Sequence, residues 1–128
     1  MGMSRRMTLV GVLVWAVVAT VAAIALAKCA PPPGRQFDAV LWQDPARIQA
    51  GIRLEMADRL LADEALIGLT KSQVVAMLGD PPATGYFRNW DLVYHLGDER
   101  SYISIDSEWL VARLGPDGRV VEARIFTD

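Results

Sequence analysis

His95 is the only histidine in the 128-residue chain, and it sits in the alternating run Trp90-Asp91-Leu92-Val93-Tyr94-His95-Leu96. With serines at 101, 104 and 107 and carboxylates at Asp91 and Asp106, a nucleophile–base–acid set can be drawn on paper. No nucleophile elbow or strained turn selects one of these serines, so catalysis is not the expectation and no catalytic residue is assigned. Zinc is equally poorly served, because His95 has neither a second histidine nor a cysteine beside it in the domain. Asp98-Glu99-Arg100 and Asp106-Ser107-Glu108 place four carboxylates around one excursion, but without the alternating ligands and closing glutamate of a calcium loop. Neither GxGxxG nor a P-loop occurs, so no phosphate cradle and no cofactor is implied. The chain reads as a non-enzymatic one.

Cys29 is the single cysteine, which excludes an intrachain disulfide. It closes an uncharged run, residues 7–27, in which 18 of 21 residues are apolar and which follows Arg5 and Arg6. As a helix, that run would span about 31 Å, enough for the hydrocarbon core of a bilayer. The positive flank predicts a cytoplasmic N-terminus and an extracytoplasmic remainder, on the periplasmic side of a bacterial membrane or envelope. Three fates stay open: an uncleaved signal anchor, cleavage after Ala25-Leu26-Ala27, or lipidation at Cys29. The length of the run favours the anchor. Leu26-Ala27-Lys28-Cys29 is similar to a lipobox at its Leu, Ala and Cys positions and departs from one at Lys28.

Apolar residues make up 52% of the whole chain, but about 46% once the N-terminal run is set aside. That is an ordinary globular composition. Beyond Ala27 there are 11 basic and 15 acidic residues, the wrong sign for a nucleic-acid surface. The organisation predicted is a signal or anchor segment over 1–29, a proline-rich tether over 30–36 and one α+β domain over 37–128.

Within that domain, Asp44-Pro45 is a helix start, and Ile48, Ile52, Met56 and Leu60 recur at i+4 along a helix reaching about Leu61. Glu55 and Arg59 are spaced for an i,i+4 pair on it. Thr70-Lys71-Ser72-Gln73 is a capping box, with Leu69 and Val74 as its staple; Gly79 and Pro81-Pro82 end the short helix. The period then changes to two. Trp90, Leu92, Tyr94 and Leu96 mark one strand and Leu110, Ala112 and Leu114 a second. After Gly115-Pro116-Asp117-Gly118, Val121, Ala123 and Ile125 mark a third. Residues 97–107 form a long excursion, with a short strand of its own suggested at 102–105. Two helices on one face of a three-stranded antiparallel sheet, α-α-β-β-β, is the predicted layout.

From residue 66 onward this pattern resembles the BamE family, also called SmpA/OmlA. Gly68-Leu69-Thr70 with Val74, Leu78-Gly79 and Pro81 is similar to that family's GMT-xx-V-xxx-LG-x-P element. Trp109-Leu110-Val111 with Gly115 to Val120 is similar to its closing hairpin. The resemblance covers about half the chain and implies an N-terminally tethered envelope protein, accessory to outer-membrane or envelope assembly.

Aromatic residues provide the candidate partner contacts. Tyr86 and Phe87 follow a Pro-Pro-Ala-Thr-Gly turn, and Trp109 alternates away from Leu110, toward the face opposite the helices. Two readings of that face remain: an open contact surface, or a surface covered by the apolar residues 37–42. The function expected is binding of other proteins by a membrane-tethered domain; an extracytoplasmic inhibitor or ligand-binding module is the alternative.

Overall fold

The computed structural model describes residues 34–48 and 50–128, together with the helical residues Val14, Val17 and Val18. The rest of the hydrophobic run, Cys29 and most of the tether lie outside the described residues. Among the described residues no helix is long and apolar enough to cross a membrane. The chain divides into two units, residues 1–31 and 32–128.

The second unit is an α+β domain in which helices pack on a three-stranded antiparallel sheet of order β1-β2-β3. Among its described residues, four helices precede the sheet: α1 (Ala39–Gln43), α2 (Pro45–Ile48), α3 (Ile52–Ala62) and α4 (Lys71–Leu78). The strands are β1 (Leu92–Asp98), β2 (Ser107–Leu114) and β3 (Val120–Thr127).

The local signals explain most helix ends. Asp38 accepts from the amides of Val40 and Leu41 and starts α1, while Asp44 accepts from Ala46 and starts α2 at Pro45. The single long helix expected from Asp44 to Leu61 does not form. Gly51 takes a left-handed conformation (φ 74°) as the N-cap of α3, and its amide bonds back to Ile48 O. Restarting there lets α3 bury Leu54, Met56, Ala57 and Leu60. Glu55 does not pair with Arg59: it faces Arg35 at 3.1 Å, and Arg59 bonds Asp63 at 2.7 Å instead.

The capping box on α4 forms in both directions. Gln73 N donates to Thr70 Oγ1 at 3.3 Å, and Thr70 N donates to Gln73 Oε1 at 2.9 Å. Thr70 also bridges Arg119, and Gly68 and Leu69 exchange hydrogen bonds with Val120, which fixes the start of α4 to β3. Thr70→Ala should cost about 1 kcal/mol and Thr70→Ser only a few tenths, measured by denaturant titration. Equal stabilities for the two variants would show that the cap adds nothing.

The sheet alternates as the period-two pattern requires. Leu92, Tyr94, Leu96, Leu110 and Ala112 face the helices, while Val93, Trp109 and Val111 form a smaller cluster on the other face. Two bulges modify the pattern. Between Arg113↔Glu122 and Leu114↔Val120, one extra residue, Val121, enters β3. Val120 is therefore buried against the helices in the place expected for Val121, which is exposed. A second shift lies between His95 and Gly97 in β1. The short strand expected at 102–105 is absent: these residues pair with no described neighbour, Tyr102 and Ile103 lying in a bend and Ser104 and Ile105 in irregular backbone.

Residues 37–42 do not cross to the outer face. Trp42 is fully buried on the helix side, where its Nε1 donates to Leu78 O at 2.9 Å. Its ring meets Tyr94 edge-on at 6.4 Å, and the Arg53 guanidinium lies 4.9 Å from its centroid. Arg53 also donates to Trp42 O and His95 O, tying α3 to α1 and β1. Burial lowers the Arg53 pKa. Burial likewise pushes the Tyr94 phenol up to about 12, and this hydroxyl donates to Gly79 O at 2.8 Å.

Candidate functional site

Gly79 and Pro81-Pro82 stop α4, and the chain must then travel from the helix layer to β1. It does so across the sheet's outer face. Tyr86 N donates to Thr84 Oγ1 at 3.1 Å and Trp90 N to Phe87 O at 2.9 Å, two bonds that fold residues 84–90 into consecutive turns. Phe87 has φ 51°, a left-handed value that a bulky residue adopts at a cost of about 1–3 kcal/mol. Packing holds it there: its ring stacks on Phe126 at 5.7 Å and lies 6.3 Å from Trp109.

Tyr86, Phe87 and Trp109, widely separated in sequence, thus form one aromatic cluster. Trp109 does face away from the helices, but it is only 8% exposed and not an open anchor. The cover comes from residues 84–90 and not from residues 37–42. Tyr86 packs over Trp109 at 5.4 Å and remains 53% exposed, so it forms the outer layer of the cluster. Phe126, the β3 residue paired with Trp109, and Trp90 complete it, their rings 5.6 Å apart; Trp90 precedes β1 and packs on this outer face, not in the strand beside Leu92 as its spacing suggested. The parity Glu122, Arg124, Phe126 was the signal for Phe126, since it alternates with Ala123 and Ile125. The Arg113 guanidinium lies over the Trp90 ring, 4.4 Å from its centroid. Beside the cluster lies an open cavity of about 250 Å³, walled by Pro81, Pro82, Arg88, Asp91 and the aromatic rings.

The residues that suggested chemistry are dispersed. His95 packs its ring edge-on against Trp109 at 4.8 Å. The hydroxyls of Ser101 and Ser104 donate to Ile103 O and Glu99 O, within their own loop. Asp91 accepts from Leu114 N at 2.7 Å. Asp128 accepts from Ser107 N and from Trp109 Nε1 at 3.0 Å, which holds its carboxyl below the usual range. Glu108 is buried on Arg100, whose guanidinium holds its pKa down, and the same guanidinium reaches Asp58 on α3. Among the described residues, no group of three His, Cys, Asp or Glu side chains could hold a metal ion. The outer face thus presents an aromatic floor, one half-exposed ring and a groove beside it.

No family model matches the chain, and comparison with curated proteins and with solved structures found no match.

Proposed function

We propose that this protein is a non-enzymatic, membrane-tethered protein-binding domain on the extracytoplasmic side of a bacterial envelope, accessory to envelope or outer-membrane assembly. Its finer architecture on this reading is an N-terminal membrane helix, with Cys29 at its end, followed by a BamE-like α-α-β-β-β domain. The longer helices α3 and α4 take the places of the two helices in that layout.

The observation that carries the contact reading is the half-exposed Tyr86 seated on the buried Trp109. Partner-binding energy concentrates in aromatic side chains held rigidly at a patch centre. Tyr86 meets that description, with Phe87 and Trp109 fixing its position beneath and beside it. The groove of Pro82, Arg88 and Trp90 offers the adjoining relief.

A photoreactive phenylalanine analogue at position 86, used in intact membranes, should give a discrete crosslinked species. The same probe at Asp117, in the turn between β2 and β3, should give none. Tyr86→Ala should weaken capture of the identified partner by roughly tenfold or more, the range of an interface hot spot. Equal labelling from positions 86 and 117 would reject this surface.

A further inference from the structure

The excursion between β1 and β2 ties its hydroxyls within the loop: Ser104 Oγ donates to Glu99 O at 2.7 Å and Ser101 Oγ to Ile103 O at 2.8 Å, while Glu99 N donates to Asp106 O at 2.9 Å. Its apolar side chains turn outward. Tyr102 is fully exposed, Ile103 is 68% exposed and Ile105 is 83% exposed. Three large apolar residues displayed together at a loop tip mark a surface meant to be covered.

Two ties fix where this tip stands. Arg100, at the root of the loop, donates to Glu108 on β2 and to Asp58 on α3, so the loop is anchored to both layers. The chain's entry into the domain lies on the same turn of α3. Arg35 N donates to Glu55 O at 2.9 Å, and a Cβ added to Gly34 would collide with Glu55 O and stand 3.1 Å from Asp58 Cβ. With φ 92°, Gly34 is the residue that lets the backbone lie this close. Asp58 thus carries the entry of the tether on one side and the root of the apolar loop on the other.

Sequence length supplies the remaining step. Seven residue steps lead from Ala27, the end of the hydrophobic run, to Gly34. Fully extended they reach about 25 Å. That length bounds how far Gly34 can stand from the end of the hydrophobic run, and Gly34 lies against Asp58, on which the loop is rooted.

We infer that Tyr102, Ile103 and Ile105 insert into the surface of the same membrane that holds the N-terminal segment, a second contact that fixes the domain's orientation. This inference rests on the anchored reading of residues 7–27. A tyrosine with two isoleucines is a composition suited to the bilayer interface, where the phenol stays at headgroup depth and the aliphatic chains go deeper. The contact is apolar in origin. Asp98, Glu99 and Asp106 flank the tip, and Arg100 is occupied by Glu108 and Asp58, so anionic headgroups are not attracted. Once the chain is anchored, insertion is intramolecular and a weak apolar contact is enough to hold it.

The test uses the full chain, with Cys29→Ser and Ile103→Cys, labelled with a polarity-sensitive fluorophore and reconstituted into phosphatidylcholine vesicles containing a nitroxide-bearing lipid. Ile103 is exposed, so the label displaces no packed neighbour; Asp117→Cys is the reference. The label at 103 should be blue-shifted and quenched severalfold more by the lipid nitroxide than the label at 117, with no change when salt is raised. Equal quenching at the two positions, in chains that float with the vesicles, would overturn the inference and leave the anchor intact. A chain that fails to float would overturn the anchored reading and this inference with it. A label at 103 shielded from aqueous iodide yet untouched by the lipid nitroxide would show a protein occupant, a second copy included, and would also overturn it.

Discussion

Trp42→Ala should remove about 3–5 kcal/mol of folding stability, the range for deleting a large aromatic residue from a packed core. Domains of this size have only about 5–14 kcal/mol in total, so the variant is expected to be partly unfolded at physiological temperature. The loss has three parts. The indole is fully buried between Phe37, Tyr94 and the α3–α4 core, and its removal leaves a cavity that several elements would have to close together. Its Nε1 satisfies Leu78 O, the last carbonyl of α4, which would otherwise be left without that partner. Its ring also receives the Arg53 guanidinium, a group already disfavoured by burial. Trp42→Phe separates these parts: it keeps most of the ring volume, loses the donor, and should cost about 1–2 kcal/mol. Denaturant titration of the detergent-solubilised chain measures both. A loss under about 1 kcal/mol for Trp42→Ala would mean that α1 packs only loosely on the domain.

Arg100→Ala should cost about 2 kcal/mol and change the sign of the pH dependence contributed by Glu108. Breaking a buried ion pair costs about 3–5 kcal/mol and breaking an exposed one less than about 1. This pair lies between, since the Glu108 side chain is 9% exposed and the Arg100 side chain 44%. In the native protein the Arg100 hydrogen bonds hold the Glu108 pKa below its ordinary value. A depressed carboxylate contributes stability above its unfolded pKa, and that contribution is lost as pH falls through the folded value. Without Arg100, burial alone acts on Glu108 and raises its pKa. The buried carboxylate then destabilises the fold at neutral pH, and protonation relieves it. The gap between wild type and Arg100→Ala should therefore narrow on acidification, and Glu108→Gln should recover part of the loss in the Arg100→Ala background. Parallel stability–pH curves for the two proteins would refute this account. Because Arg100 also roots the apolar loop on Asp58, the variant should loosen residues 99–106 selectively, visible as faster amide exchange there.

The aromatic site was legible in part. Alternation placed Trp109 on the face away from the helices, and the Pro-Pro turn placed Tyr86 and Phe87 outside the regular elements. That the turn lies back on Trp109 depends on the backbone of Phe87, whose left-handed conformation no local signal specifies. The apolar loop departs from its expected strand for a related reason. Tyr102, Ile103 and Ile105 have strand-forming side chains, but a strand needs a neighbour to bond with, and among the described residues none runs beside 102–105.

By itself the sequence determined what short-range physics controls. The Thr70 capping box, the stop at Gly79 and Pro81, the turn at Gly115 to Gly118 and the two-residue alternation of β1 and β2 are bonds and steric limits within a few residues. The tertiary structure decided everything that required choosing between surfaces: the break at Gly51, the burial of Trp42 on the helix side, the bulge that exchanges Val120 for Val121, and the aromatic cover over Trp109. In each case apolar groups had more than one place to go. Burial is non-directional, so the outcome depended on which cavity the assembled sheet and helices left unfilled.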